Sequence, residues 1–462
     1  MSTTDSDAQP ADPSAESAQA FAQAHDPYGA LRIRDFRCLL AGNLLSMLGI
    51  QALSMAIGWE VYERTRSKPA LALVGLTQLL PAVGLFLPAG ALIDRNDRRR
   101  ILLIGMSLLA VLAAALAVLS WREGPLWGIY GLLVAIGAVR SINQPARAAF
   151  LPEVVPTPVF GNAVTWSSAA FQFTMVAGPA LGGWLIYWTG GAASVYLLTA
   201  GLCLSYTVFL LAIPPRAQLR SIEPISLRSL GAGLSYVWNS KVILAAITLD
   251  MVAVLLGGAT ALLPVYAKDI LQIDAWGLGW MRSAPGVGAV VMSLFLAHRP
   301  PLAHAGRALL WSVVWFGLAT IAFGFSRSTP LSFALLAALG AADMVSVVVR
   351  HTLVQLLTPN SMRGRVSAVN GLFISISNDL GETESAGVAS LFDRQDDLAF
   401  GPTVSVVSGG VGTILVVGLV AATCPALRRY GRLDQRLPTE SDKPGQATGP
   451  KQDSSRGNGH AQ

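Results

Sequence analysis

The chain has 462 residues, 53% hydrophobic and only 13% charged, with a mean hydropathy of +0.52 and a formal net charge of +6. Soluble domains carry about 25% charged residues, so this composition excludes an ordinary soluble enzyme or binding module. The basic residues are dispersed among loops rather than gathered into a patch, so nucleic acid is not an expected partner.

Residues 1–30 contain no Lys or Arg and are poor in apolar residues, which predicts a disordered tail without the charged n-region of a signal peptide. Twelve apolar segments follow, at 38–60, 70–93, 101–120, 126–149, 162–188, 192–213, 241–266, 276–297, 307–325, 330–357, 366–390 and 403–427. Each is long enough to cross a hydrocarbon core of about 30 Å. The expected fold is all-α and polytopic. It has a six-helix bundle at 31–213, a linker at 214–240 opening on Pro214-Pro215 and carrying a short amphipathic helix, and a second bundle at 241–430. Residues 431–462 read as another disordered tail. Arg32, Arg34, Arg37, Arg95, Arg98, Arg99, Arg100, Arg216, Arg220, Arg228, Arg363, Arg365, Arg428 and Arg429 all fall on one side if the N-terminus is cytoplasmic. The positive-inside rule therefore predicts a multi-pass inner-membrane protein, facing anionic lipid with both termini in the cytoplasm.

The second half repeats the first. Gly75, Pro81, Val83, Gly84 and Arg95 recur as Gly279, Pro285, Val287, Gly288 and Arg299, and Val61-Tyr62 as Val265-Tyr266. Gly137, Arg147, Gly161 and Gly178 recur as Gly340, Arg350, Gly364 and Gly381. A parallel duplication of a helical membrane unit predicts two pseudo-symmetric six-helix bundles around a site between them, which is a transporter architecture.

Between the second and third segments stands Gly90-Ala-Leu-Ile-Asp94-Arg95-Asn-Asp97-Arg98-Arg99-Arg100. Gly90 permits close helix contact, Asp94 suits a helix N-terminus, and Arg95, Arg98 and Arg99 are placed to bridge neighbouring helices. This resembles the cytoplasmic signature loop of the major facilitator superfamily, with Asp97 where the family usually has Gly. Gly178-Pro179-Ala-Leu-Gly182-Gly183 resembles the motif that marks antiporters of that superfamily, with Thr174 where a further Gly is usual. The stretch from Asn143 to Pro156, followed by Asn162-Ala-Val164, is similar to the fourth-to-fifth helix junction of the branch holding the enterobactin exporter and the type-3 drug:proton antiporters. Thr358-Pro-Asn-Ser-Met-Arg363-Gly-Arg365-Val366 fits the same branch. The resemblance spans residues 31–430 and implies the major facilitator fold, with the Gly90–Arg99 loop as a gate and export as the direction.

Charges at bilayer depth are costly and mark candidate sites. Arg140 and Asp343 occupy equivalent repeat positions, which sets them at equal depth, and their attraction across a central cavity is one expectation. Asp379 and Glu382 share a helical face, and with Asp343 they are the candidate proton-relay acids. Asp250 is a further single acid. Arg147 and Arg350 are expected to be structural ties, with Glu153 as one partner. Glu60 reads as a solvated residue near a helix end. Cys38, Cys203 and Cys424 have no metal or disulfide spacing, and no nucleophile elbow, phosphate loop or zinc signature occurs, so no enzymatic chemistry, cofactor or metal is expected.

The reading that joins these features is a monomeric secondary transporter exporting small amphipathic molecules, siderophore-like metabolites or drugs, by alternating access and proton antiport. A lysophospholipid flippase is the alternative within transport, and a transport-like membrane sensor the alternative outside it.

Overall fold

The computed structural model describes residues 27–215, 227–257, 259–300, 304–394 and 396–431. The tails expected to be disordered and the linker stretch 216–226 lie outside these residues, apart from the short ends included above.

Six long helices come first: α1 (Arg34–Thr65), α2 (Lys68–Arg95), α3 (Arg98–Trp121), α4 (Leu126–Val154), α5 (Phe160–Thr189) and α6 (Ala193–Leu211). The short α7 (Leu227–Asn239) leads into the second set. That set is α8 (Lys241–Leu256), α9 (Ala275–Ala297), α10 (Ala305–Phe325), α11 (Thr329–Leu357), α12 (Asn360–Leu391) and α13 (Phe400–Thr423). The helix-to-helix turns are short, so successive helices run antiparallel. We call the end where α1 begins the near end and the opposite end the far end.

Eleven spans among the described residues are long and apolar enough to cross a membrane. The exception is α12, whose hydropathy is lowered by Arg363, Arg365, Asn370, Asn378, Asp379, Glu382 and Glu384. Apolar residues occupy nearly all faces of the other helices, as expected where one side meets lipid and the other a neighbouring helix.

The seventh predicted segment is not one continuous helix. After Leu256 the chain passes through a 3₁₀ turn at Ala259–Leu262, a short helical piece at Leu263–Val265 and a π-helical turn at Tyr266–Ile270. Pro264 has no N–H to continue the ladder. Gly257 packs so closely that an added Cβ would meet Phe316 Cε1 at 2.5 Å.

The repeat is visible in packing as well as in sequence. Gly137 of α4 lies on Pro81 and Gln78 of α2, and its counterpart Gly340 of α11 lies on Pro285 of α9. Gly178 of α5 meets Gln51 of α1, and Gly381 of α12 meets Leu255 of α8. Two further equivalent contacts join the halves to each other. A Cβ on Gly75 of α2 would meet Thr383 Oγ1 of α12 at 2.6 Å, and one on Gly279 of α9 would meet the Pro179 carbonyl of α5 at 2.6 Å. Close backbone approach at small residues is how membrane helices gain dispersion contacts without a hydrophobic driving force.

The far end carries ionic ties between the halves. Tyr62 hydrogen bonds to Asp269, Arg66 Nη1 pairs with Asp269 at 2.8 Å, and Lys268 pairs with Glu63. Lys68 Nζ, with a side chain only 3% exposed, reaches Asp393 at 2.5 Å. At the near end α7 docks on the second half. Val237 is buried, a Cβ added to Gly233 would meet the Arg365 carbonyl at 2.9 Å, and Tyr236 donates to the Leu357 carbonyl at 2.6 Å.

Candidate functional site

A narrow cleft lies between the halves toward the far end, lined by Ser54 and Ile57 of α1, Gln78 of α2, Pro264 beyond α8, Arg282 of α9 and Glu382 of α12. The polar side chains around it form a polar bridge. On the first-half side Arg140 Nη1 of α4 donates to Gln78 Oε1 at 2.8 Å. On the second-half side Arg282 Nη2 lies 3.6 Å from Glu382 Oε1. Arg282 also crosses to α1, donating from Nη2 to Ser54 Oγ at 3.0 Å and from Nη1 to the Ser54 carbonyl at 3.4 Å. Ser283, one residue on, donates to the Val176 carbonyl of α5 at 2.6 Å. Gln78, held by Arg140, and the Arg282–Glu382 pair thus face each other at the boundary of the halves, where any relative movement changes their spacing.

Arg282 did not stand out in the sequence. It is the repeat counterpart of Gln78, so carrying the polar residue of α2 forward by the repeat offset is the signal that finds it. Arg140 and Asp343, by contrast, are not brought together. Asp343 lies inside the second half with Asp250 and Ser346, because α11 turns that face toward α8 and α10 rather than across the cleft. Asp250 is not a lone acid: it pairs with Arg350, and both are buried. Arg147 instead donates to Ser46 Oγ at 3.3 Å and stacks on the Tyr206 ring, with its charge centre 5.2 Å from the ring centroid. Glu153 partners Arg98 rather than Arg147 or Arg350. Glu60 is not solvated but 5% exposed, accepting from Tyr196 Oη at 2.6 Å and pairing with Arg64 at 2.5 Å.

The Gly90–Arg100 loop sits at the near end of the first half. Gly90 and Arg98 are buried and Arg95 is exposed; the Asp94 side chain lies outside the described residues. Arg98 Nη1 binds Glu153 Oε1 at 2.8 Å and the Ala149 carbonyl at 3.0 Å, tying α3 to α4. Arg99 donates to the Leu210 and Leu211 carbonyls at 3.2 Å each, where the C-terminus of α6 carries partial negative charge. Asp97, the departure from the superfamily pattern, caps α3: its Oδ1 accepts from the Arg99 N–H at 2.9 Å. In the α5 motif, Gly178 and Gly182 face α1 within the first half, while Gly183 faces Ala275 and Gly279 of α9, so Gly183 and the Pro179 carbonyl form part of the seam between the halves.

A family model described as transmembrane secretion effector matches residues 25–383. The chain belongs to this family. It is a major facilitator superfamily transporter, and among its secretion-effector relatives it is 26% identical over 417 residues to the enterobactin exporter EntS of Shigella boydii serotype 4 (strain Sb227), covering 88% of this chain and 95% of that one. It is 25% identical over 342 residues to the multidrug efflux pump Tap of Mycolicibacterium fortuitum, covering 71% and 82%. The fold is shared with a bacterial homologue of the lysosomal transporter Spinster in an inward-facing, unoccupied conformation, at a TM-score of 0.66 and 13% identity over 86% of this chain and 98% of that one. A bacterial homologue of the iron transporter ferroportin in an inward-facing state aligns at 0.61 and 18% identity, over 84% and 99%. At those identities the likeness concerns the fold alone.

Proposed function

We propose that this secretion-effector transporter exports small amphipathic molecules from the cytoplasm by alternating access, driven by proton antiport. The observation that carries the reading is the polar bridge at the boundary of the halves, Arg140–Gln78 on one side and Arg282–Glu382 on the other, with Asp379 three residues before Glu382 on the same helix. Its members are held by elements that must move relative to one another, so a change of charge on Asp379 or Glu382 alters the force between the halves. The near end is the cytoplasmic end in this reading, and both termini lie there. The far-end seam and its ion pairs keep the outer side shut while cargo enters from within. The relatives' names, an enterobactin exporter and a multidrug efflux pump, support export of siderophore-like or drug-like cargo. The loop Gly90–Arg100 serves as the inner gate, clamping α3 to α4 and α6.

The test is uptake into everted vesicles of a pump-deficient strain, with a panel of siderophores and antibiotics. Expression of the chain should give accumulation that collapses with the proton gradient. Asp379→Asn with Glu382→Gln should abolish that uphill accumulation while leaving exchange of cargo down its own gradient. Retention of gradient-driven accumulation in the double variant would remove the bridge from energy coupling.

A further inference from the structure

Inside the second half, between α8, α10 and α11, lies a small cavity lined by Asp250, Ser312, Phe316, Asp343 and Ser346. The free space is about that of a single water-sized species, so a bound ion would take its ligands from the lining side chains. Arg350, 3% exposed, pairs with Asp250. Asp343 has no hydrogen-bond or ionic partner among the described residues. Ser346 is 3% exposed, and its Oγ also has none. One arginine against two carboxylates leaves an excess of one negative charge. Other ionisable groups do not supply the balance: α10 carries none beyond Arg307 and α13 none at all, while on α11 His351 lies one residue past Arg350. Helix α9 carries Arg282, which lies on Ser54 and Glu382, and α12 carries Arg363 and Arg365 near its start and Asp379, Glu382 and Glu384 further along.

The first half shows that the fold does not require this arrangement. Its equivalent positions are Ser46 for Asp250, Arg140 for Asp343, Asn143 for Ser346 and Arg147 for Arg350. The basic residues there are met by neutral groups, Arg140 by Gln78 and Arg147 by Ser46 and Tyr206. The carboxylates at these four positions belong to the second half. Asp343 is half-buried, yet an unpaired carboxylate at bilayer depth is expensive, and the unpartnered, buried Ser346 hydroxyl beside it is a further oxygen ligand awaiting a donor or a cation.

We infer that this cavity binds one monovalent cation, a proton or Na⁺, on Asp343 with Ser346 and Ser312 as the neutral oxygen ligands. Arg350 neutralises Asp250 and so fixes the net charge available to the ion at one. A divalent ion is disfavoured, since Ca²⁺ takes about six to eight oxygen ligands and usually several carboxylates. The site is separate from the polar bridge, so cargo and this ion do not compete for the same groups. Occupancy nevertheless reaches the boundary of the halves, because Met344, the next residue, contacts Gln172 of α5 through its sulfur at 4.0 Å. That the ion drives transport rests on the exporter reading; that the cavity binds it does not.

The experiment uses the purified full chain in detergent and reads the unfolding temperature. One arm exchanges NaCl for choline chloride at constant ionic strength, and the other varies pH in choline alone. Asp343→Asn removes the charged ligand. Ser346→Ala removes a hydroxyl that holds no hydrogen bond and so should leave the fold intact. Glu384→Gln is the control for loss of a carboxylate elsewhere in the membrane. A Na⁺-dependent rise that vanishes in Asp343→Asn, with its midpoint raised about tenfold in Ser346→Ala, identifies a Na⁺ site. A rise on acidification alone, lost in Asp343→Asn and kept in Glu384→Gln, identifies a proton site. Wild-type responses to both Na⁺ and pH in Asp343→Asn and Ser346→Ala, or no response in the wild type, overturn the inference. Binding without any measurable export would leave this site standing and refute the exporter reading instead.

Discussion

Arg147 and Arg350 hold equivalent places in the two halves, yet only Arg350 has a carboxylate beside it. Removing one partner of a buried ion pair costs about 3–5 kcal/mol, because the other charge is left uncompensated, whereas replacing both by apolar residues is often neutral. Asp250→Ala should therefore lower the apparent unfolding temperature sharply, and Asp250→Leu combined with Arg350→Met should recover most of the loss. Equal temperatures for the single and double variants would mean the pair is not coupled. Sequence could place these residues at depth but could not choose their partners. Asp250 and Arg350 lie 100 positions apart, and the side of α11 that faces α8 depends on a helix rotation that apolar periodicity does not define when every face is apolar. Glu60 shows the same limit. Its position near a helix end suggested water, but Tyr196 and Arg64 close over it.

At the scale of elements, helix existence depends on length and hydropathy, which the sequence carries directly, while partnership depends on contacts between distant segments. The twelve segments were legible, α12 included, although its hydropathy alone falls short of a membrane span; the break after α8 was not, because Gly257 and Pro264 mark a weak point without saying which turn replaces the helix. The repeat supplies an internal control for glycine. Gly288 of α9 sits against the Ala337 carbonyl, closer than any Cβ could tolerate, while its counterpart Gly84 of α2 has nothing within 4 Å of the same position. Gly288→Ala should destabilise by about 1–3 kcal/mol through overpacking. Gly84→Ala should be neutral or stabilising by about 1 kcal/mol, since alanine favours the helix. Thermal unfolding of the two variants side by side checks this, and equal effects would contradict the asymmetry.

For the molecule as a whole, the question is what holds the halves in this arrangement. The seam glycines supply packing, and the far-end ion pairs supply charge attraction between segments of the two halves. Lys68 is the most informative of these. Its side chain is 3% exposed while that of Asp393 is 48% exposed, and Lys68 also donates to the Leu398 carbonyl at 3.3 Å. With one partner half in solvent the pair is worth about 1 kcal/mol, which is a factor of about five in the balance between conformations. Lys68→Glu converts attraction into repulsion and should open the far end more often. Ile57→Cys, a cleft position 4% exposed, reports this in a background lacking the native cysteines. A membrane-impermeant thiol reagent added outside cells should label Ile57→Cys about fivefold faster with Lys68→Glu than without it. Reversing the pair, Lys68→Glu with Asp393→Lys, should return labelling toward the starting rate, because the attraction is restored with opposite polarity. Equal labelling in all three backgrounds would show that packing at Gly75, Gly183 and Gly279 alone closes the far end. Conversely, Gly279→Val, whose side chain must displace the Pro179 backbone, would then be the stronger opener, so the two substitutions compared in one assay apportion closure between packing and charge.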